Sequence, residues 1–250
     1  MNGLAPRLEN IVQGLPPRFQ ELARTLYRPA RARLHHPRWG NLRRPAPFTD
    51  RDRLPGGMSV ERAYLERFIS SNCDVLRGNV LEAGRHEWTT AVNWQNVDKL
   101  EVVDLDPTND RMTLVGDICD PTVFTGLTFD CAILLQILQR VAFPERALTN
   151  VWRSLKPRGA LLVSVPGIHG FGQSEDVCDR WRWTPTEFRR LLTKSFPSAQ
   201  INVHTFGSLA SVTAHLYGLS VTDLGARAMT WDDPRHPVVL CARLDRQNDD

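Results

Sequence analysis

A chain of 250 residues, 42% hydrophobic and 24% charged, can bury one sizeable core, which excludes wholesale disorder and fibrous repeats. Its net charge of +3 conceals a polarity: residues 1–55 hold eleven Arg, no Lys and four acids, a balance of 11 − 4 = +7 that leaves 3 − 7 = −4 for the rest. No apolar run approaches the roughly 20 residues of a bilayer span, and the N-terminus lacks the long apolar stretch of a secretory signal. The five scattered cysteines (Cys73, Cys119, Cys131, Cys178, Cys241) form no CxxC pair. A cytoplasmic protein with reduced thiols and no metal is therefore expected.

Prolines at 6, 16, 17, 29, 37, 45, 47 and 55 make residues 1–56 an extension, with room for one helical stretch between Phe19 and Arg33. Its arginines suit a solvated wrap, phosphate or RNA binding, or a lid. Aromatics for base stacking are few, namely Phe19, Tyr27, Trp39 and Phe48, so nucleic acid is not the expected partner.

Ser59 opens the domain expected over residues 57–245. In SVERAYLERFISS, residues Tyr64, Leu65, Phe68 and Ile69 share one helical face. Short apolar runs follow in NVLEAG, KLEVVDLD, RMTLVGD, FDCAILLQ and GALLVSVPG. Runs apolar on both faces suit a parallel sheet covered on both sides. PERALTNVWRSLK carries a helical stripe of Ala147, Leu148, Val151, Trp152 and Leu155, with Pro157 and Gly159 as its stop. Thr184-Pro185-Thr186-Glu187 has the form of a capping box before another helix. The strand INVHTFG, a helix near SLASVTAHLYG and the strand PVVLCARL complete the domain, and residues 246–250 form a tail.

Two positions suggest a nucleotide-like cofactor. Gly84 ends the first strand, where a missing side chain lets a ligand approach the backbone. Asp104 lies 20 residues further on, at the end of the next strand, where a carboxylate can accept hydrogen bonds from ribose hydroxyls. Asp106 competes for that role. The spacing alone fits S-adenosylmethionine (SAM) or NAD, although no GxGxxG is present.

The order VLEAG, Asp104, VGDICD, FDCAILLQILQ, LKPRGALLVSVPGI and DRWRWTPTEFRRLL resembles the class I SAM-dependent methyltransferases. More narrowly, it resembles a bacterial methyltransferase-domain family of type 11, sometimes found beside sugar transferases. The resemblance covers roughly residues 39–244, including WGNLRR, and so favours a lid among the readings of the extension. It implies a doubly wound, Rossmann-like α/β fold with a seven-stranded sheet and an antiparallel final hairpin. SAM is the implied cofactor, leaving S-adenosylhomocysteine as product, and no metal is implied. Glu82, Ala83 and Gly84 would lie beside the methionine moiety, Asp104 and Leu105 at the ribose, Asp117 and Ile118 at the adenine, and Gln136 near the methionine end or the acceptor. The implied reaction is methyl transfer to a small molecule, such as a hydroxyl of a sugar-bearing or secondary metabolite.

For such an acceptor, His169 is the candidate catalytic base, because it follows a strand's carboxyl end and histidine titrates near neutral pH. Trp181 and Trp183 could wall the acceptor or cover the core. His35-His36 lacks further metal ligands at suitable spacing, and His204, His215 and His236 lie in segments that read as strand, helix and loop. The turn Arg85-His86-Glu87-Trp88 departs from the family pattern, which has an acid and a small polar residue there. A cation beside the sulfonium would repel it, so the alternative is a catalytically silent or repurposed member of the fold.

Overall fold

The computed structural model describes residues 16, 19–21, 40–49, 57–84, 88–91, 96–171, 173–174 and 177–248. The chain divides into two compact units, Met1–Pro45 and Ala46–Asp250. In the first, residues 19–21 are helical and Gly40–Leu42 form a 3-10 turn. The remainder of that unit, and with it the expectation of a lid, lies outside the described residues.

The second unit begins its regular structure where the Ser59 hydroxyl accepts from the Arg62 N–H at 3.1 Å. Helix α1 (Val60–Ser70) follows, with Val60, Tyr64, Leu65, Phe68 and Ile69 buried. Seven strands make the main sheet: β1 (Gly78–Ala83), β2 (Val97–Asp104), β3 (Leu114–Val115), β4 (Phe129–Leu135), β5 (Leu155–Pro166), β6 (Gln200–Phe206) and β7 (Val239–Asp245). Their order is β3-β2-β1-β4-β5-β7-β6, with β7 antiparallel to both neighbours and the remaining pairings parallel. This is the doubly wound sheet with a final antiparallel hairpin expected from the sequence.

Helices α2 (Trp88–Ala91), α3 (Pro144–Ser154), α4 (Pro185–Ser195), α5 (Leu209–Leu216), α6 (Val221–Leu224) and α7 (Ala226–Met229) follow in the second unit. One face of the sheet packs on Ala147, Leu148, Val151 and Trp152 of α3 and Phe188 and Leu192 of α4. The other packs on α1 and on Val212 and Ala214 of α5. No helix among the described residues is long and apolar enough to cross a membrane.

Three local expectations change. The strand expected over RMTLVGD shrinks to two residues, because it is an edge with a single neighbour and Val115 is 67% exposed. Helix α3 stops at Ser154, before Pro157: Leu155 already pairs with Phe129, and LKPRG becomes a bulge inside β5, with Arg158 at φ +63°. Thr184 caps α4 through the Glu187 N–H at 3.2 Å, but the Glu187 carboxylate faces Arg190. Reciprocal capping boxes occur instead at Ser208/Ser211 and Ser220/Asp223.

The amino end of the sheet is fastened by Asp130. Its carboxylate accepts from the Asn79 N–H at 2.8 Å and the Lys156 ammonium at 2.6 Å. Burial raises the pKa of this carboxyl, but those two bonds outweigh it and hold Asp130 below the ordinary carboxylate range. The stabilisation is present above the unfolded carboxyl's pKa of about 3.9 and is lost as pH falls through the lower folded value. Asp130→Asn should therefore cost about 1 kcal/mol at neutral pH and flatten the acid loss of stability below about pH 4, both read from urea midpoints across pH.

Candidate functional site

The strand order reverses between β1 and β4, and in an open α/β sheet the ligand crevice lies at the carboxyl ends of the strands at such a reversal. The side chains at those ends are held by short-range polar contacts. Glu82, near the end of β1, is fully buried. It accepts from the Trp88 N–H (2.9 Å), the Thr89 N–H (3.2 Å) and the Thr89 hydroxyl (2.6 Å). These bonds take up N–H groups at the first turn of α2, where the helix leaves them without partners of its own. They fix both ends of the turn between β1 and α2; Arg85, His86 and Glu87 themselves lie outside the described residues. The Trp88 ring sits under the Arg62 guanidinium at 4.2 Å.

Ala83 is buried. Gly84 has φ +87°, and its N–H donates to the Val103 carbonyl at 2.8 Å. A Cβ here would come within 2.9 Å of Ile137 Cδ1, a side-chain end that can shift; it is the positive φ that favours glycine.

Asp104 ends β2. Its Oδ2 accepts from Asn109 Nδ2 at 2.8 Å, and the same amide reaches the Gly84 carbonyl at 3.4 Å. Its Oδ1 accepts from the Asp106 N–H at 3.2 Å. Asp106 turns its own carboxylate onto the Thr108 N–H and hydroxyl, at 2.9 and 2.6 Å. Leu105 between them is 67% exposed.

Beyond β3, the Gly116 N–H donates to the Asp104 carbonyl at 3.0 Å, and Asp117 Oδ1 accepts from the Cys119 N–H at 2.8 Å. Ile118 is buried, its carbonyl held by Asn150 Nδ2 at 3.1 Å. Gln136, directly after β4, has φ +58°, uncommon for a side-chain-bearing residue. Its N–H reaches the Ser164 carbonyl (3.2 Å) and hydroxyl (3.0 Å), and buried Gln139 donates to its carbonyl at 2.8 Å. Strained backbone held in place by surrounding contacts is a feature that clusters at functional sites.

His169 follows β5. Its Nε2 is 3.5 Å from Glu61 Oε2, and its ring lies within 10° of parallel to His215, with centroids 4.6 Å apart. Trp181 is 42% exposed and donates to the Val141 carbonyl, while Trp183 packs partly on the core; their rings are 6.2 Å apart. Cavities of about 720 Å³ beside Ser208, Arg227 and Trp231, and of about 370 Å³ beside Tyr64, Arg67 and Met229, are not lined by these strand-end residues.

Sequence reasoning missed Asn109, Gln139, Glu61 and His215. Asn109, five residues beyond Asp104 in a turn-forming stretch, was within reach of a local argument. Glu61 and His215 were not, because α1, α5 and the loop after β5 are far apart in sequence and meet only in the tertiary fold. Chemically, the edge offers carboxylates for hydroxyl donors and exposed apolar surface at Leu105, and a His–carboxylate pair, His169 and Glu61, stands apart from it beyond β5.

Residues 89–163 match the methyltransferase domain family. The match spans β2 to β5 and includes Asp104, Asp117 and Gln136. No curated protein matches the chain by sequence. Among solved structures, the plantazolicin methyltransferase BamL, in complex with a triazolic desmethyl analogue and S-adenosylhomocysteine, is similar at 13% identity and TM-score 0.51, covering 75% of this chain and 84% of that one. An S-adenosylmethionine-dependent methyltransferase from Clostridium acetobutylicum is similar at 10% identity and TM-score 0.50, covering 74% and 92%. The [4+2]-cyclase SpnF is similar at 15% identity and TM-score 0.50, covering 74% and 82%. The shared property is the fold.

The Glu82 anchor has a direct test. Glu82→Ala leaves three donors without their acceptor in a dry site and should lower the unfolding free energy by about 3 kcal/mol, with Glu82→Gln losing roughly half as much. Denaturant titration measures both; an unchanged Glu82→Ala would refute the anchoring role.

Proposed function

We propose that this chain, a class I methyltransferase that takes its methyl group from S-adenosylmethionine, delivers it to a hydroxyl of a small-molecule acceptor, a sugar-bearing or secondary metabolite, in the cytoplasm. The observation that carries this reading is that Gly84, Asp104, Asp117-Ile118 and Gln136 follow or end β1, β2, β3 and β4 along the carboxyl edge that flanks the reversal of strand order. In this reading Glu82, Ala83 and Gly84 shape the backbone beside the methionine moiety. Asp104 keeps lone pairs for ribose hydroxyls, since each carboxylate oxygen can accept two bonds. Leu105 lies with Asp104 at the ribose, Asp117 and Ile118 border the adenine, and Gln136 stands near the methionine end or the acceptor. A cytoplasmic setting agrees with buried Cys131 and Cys241, whose thiols burial holds well above their ordinary pKa and so protonated.

Bound S-adenosylmethionine would supply an electrophilic methyl group that an acceptor oxygen could displace in line from sulfur, with S-adenosylhomocysteine as the neutral leaving group. The donor is already activated, so alignment and exclusion of water supply much of the acceleration. The hydroxyl proton passes to His169, oriented by Glu61. A second reading, favoured by Arg85-His86 in the cofactor turn, is a member of the fold that binds SAM without transferring its methyl group.

Calorimetric titration should show SAM and S-adenosylhomocysteine binding, weakened by about 10- to 100-fold in Asp104→Ala, the value of charge-assisted hydrogen bonds. Absence of binding by either ligand at millimolar concentration would defeat both readings. Binding with no S-adenosylhomocysteine formed across a broad acceptor screen would select the second. With an acceptor in hand, His169→Ala should lower turnover by about 10²-fold or more and abolish the rise in rate with pH that a neutral imidazole base gives.

A further inference from the structure

Among the described residues, one group of three metal-type donors converges outside the cofactor edge: Glu61, His169 and His215, with one donor atom from each lying within 4.8 Å of the others. None of the three is exposed. His215 is 3% accessible, and the side chains of His169 and Glu61 are 13% and 19% accessible.

The backbone holds the group in place from three sides. Glu61 is in the first turn of α1, and the start of that helix is tied to the link between α5 and α6 by the Ser59–Ser220 bridge and by the Val221 N–H on the Met58 carbonyl at 3.0 Å. His169 follows Gly167 and Ile168, whose N–H groups donate to the Val238 and Pro237 carbonyls at 2.9 and 2.8 Å. A Cβ on Gly167 would strike the Pro237 carbonyl oxygen at 2.4 Å, so this close approach needs glycine. His215 lies in the last turn of α5, where Phe48 and Thr49 bond to the carbonyls of Tyr217 and Gly218 at 2.8 and 2.5 Å.

We propose that Glu61, His169 and His215 form a binding site for a first-row divalent transition metal, with zinc the expected occupant. Two imidazoles and one carboxylate are the donors such ions prefer, whereas calcium and magnesium select oxygen alone. Bonds of about 2.0–2.1 Å in a tetrahedron place donor atoms about 3.3 Å apart. The Glu61–His169 edge of 3.5 Å already meets that spacing, and loading requires the His169 ring, the more accessible of the two, to turn out of its near-parallel stack on His215 so that both in-plane lone pairs meet at one point. The carboxylate and cation together replace a desolvated negative charge with a neutralised one. Three protein donors leave a fourth position for water or an acceptor oxygen. A ligated His169 would have no lone pair for a proton; in the loaded protein a bound hydroxyl, acidified by the cation, would pass its proton to solvent, whereas in the metal-free form His169 would accept it.

The site rests on its own geometry and not on the methyl-transfer reading. Full-length protein stripped with chelator is titrated with zinc chloride by calorimetry and with cobalt chloride by visible absorption. The expected results are one equivalent bound at micromolar affinity or tighter and the intense bands of low-coordinate cobalt. His169→Ala and Glu61→Gln should each weaken binding by at least about tenfold, with unchanged circular dichroism. These two partly exposed positions carry the test, since His215→Ala opens a hole in packed structure. His236→Ala and the double variant His35→Ala/His36→Ala should bind as the parent does. Binding no tighter than millimolar, or binding kept in His169→Ala and lost in the His35/His36 variant, overturns the proposal. Zinc binding without SAM binding would sink the methyl-transfer reading alone, and the reverse would sink this one alone.

Discussion

The sheet is covered on both faces, and most of the architecture follows from that. From Cys131 to Leu135 in β4 and from Gly159 to Pro166 in β5, successive residues are buried whichever face they point to. A parallel sheet of this kind has no solvated face on which to carry polar groups, since an unpaired polar atom there would cost several kcal/mol. Polar chemistry is therefore displaced to the strand ends. Asp130 is at the amino edge, and Glu82, Asp104, Gln136 and Ser164 are at or near the carboxyl edge. Glu82 and Ser164 are themselves fully buried and satisfied by neighbouring chain.

The carboxyl edge is shaped more by backbone than by side chains. Gly84 and Gln136 both take positive φ, one at no steric cost and the other against its side chain's preference. The two turns touch: the end of the Ile137 side chain, from the residue after Gln136, lies where a Cβ on Gly84 would stand. The Asn109 amide spans Asp104 and the Gly84 carbonyl. Ends of β1, β2 and β4 are thus locked to one another, giving a small ligand a preorganised rim.

A rim of this kind does not fix the chemistry performed on it. The same sheet is found in the structurally similar SpnF, a cyclase, and in BamL, a methyltransferase; fold and reaction are separable because the reacting groups lie on loops. In this chain the loop after β5, with His169, and the last turn of α5, with His215, bring two imidazoles within 4.6 Å of each other, centroid to centroid.

Local sequence determined the elements and their order. The α1 stripe, the buried runs of β4 and β5 and the caps at Ser59 and Thr184 are written in residues a few positions apart, where helical and extended periodicity decide which face is dry. The strand-end positions Gly84, Asp104, Asp117 and Gln136 were legible for the same reason. Only the tertiary structure decided that β3 is a two-residue edge, because strand length there depends on a second neighbour the sheet does not provide. It also decided that Glu82 points into the start of α2, where buried N–H groups demand an acceptor. Above all it brought Glu61 and His215 to His169: those three residues lie on segments far apart in sequence, and their meeting depends on how α1 and α5 pack on one face of the sheet.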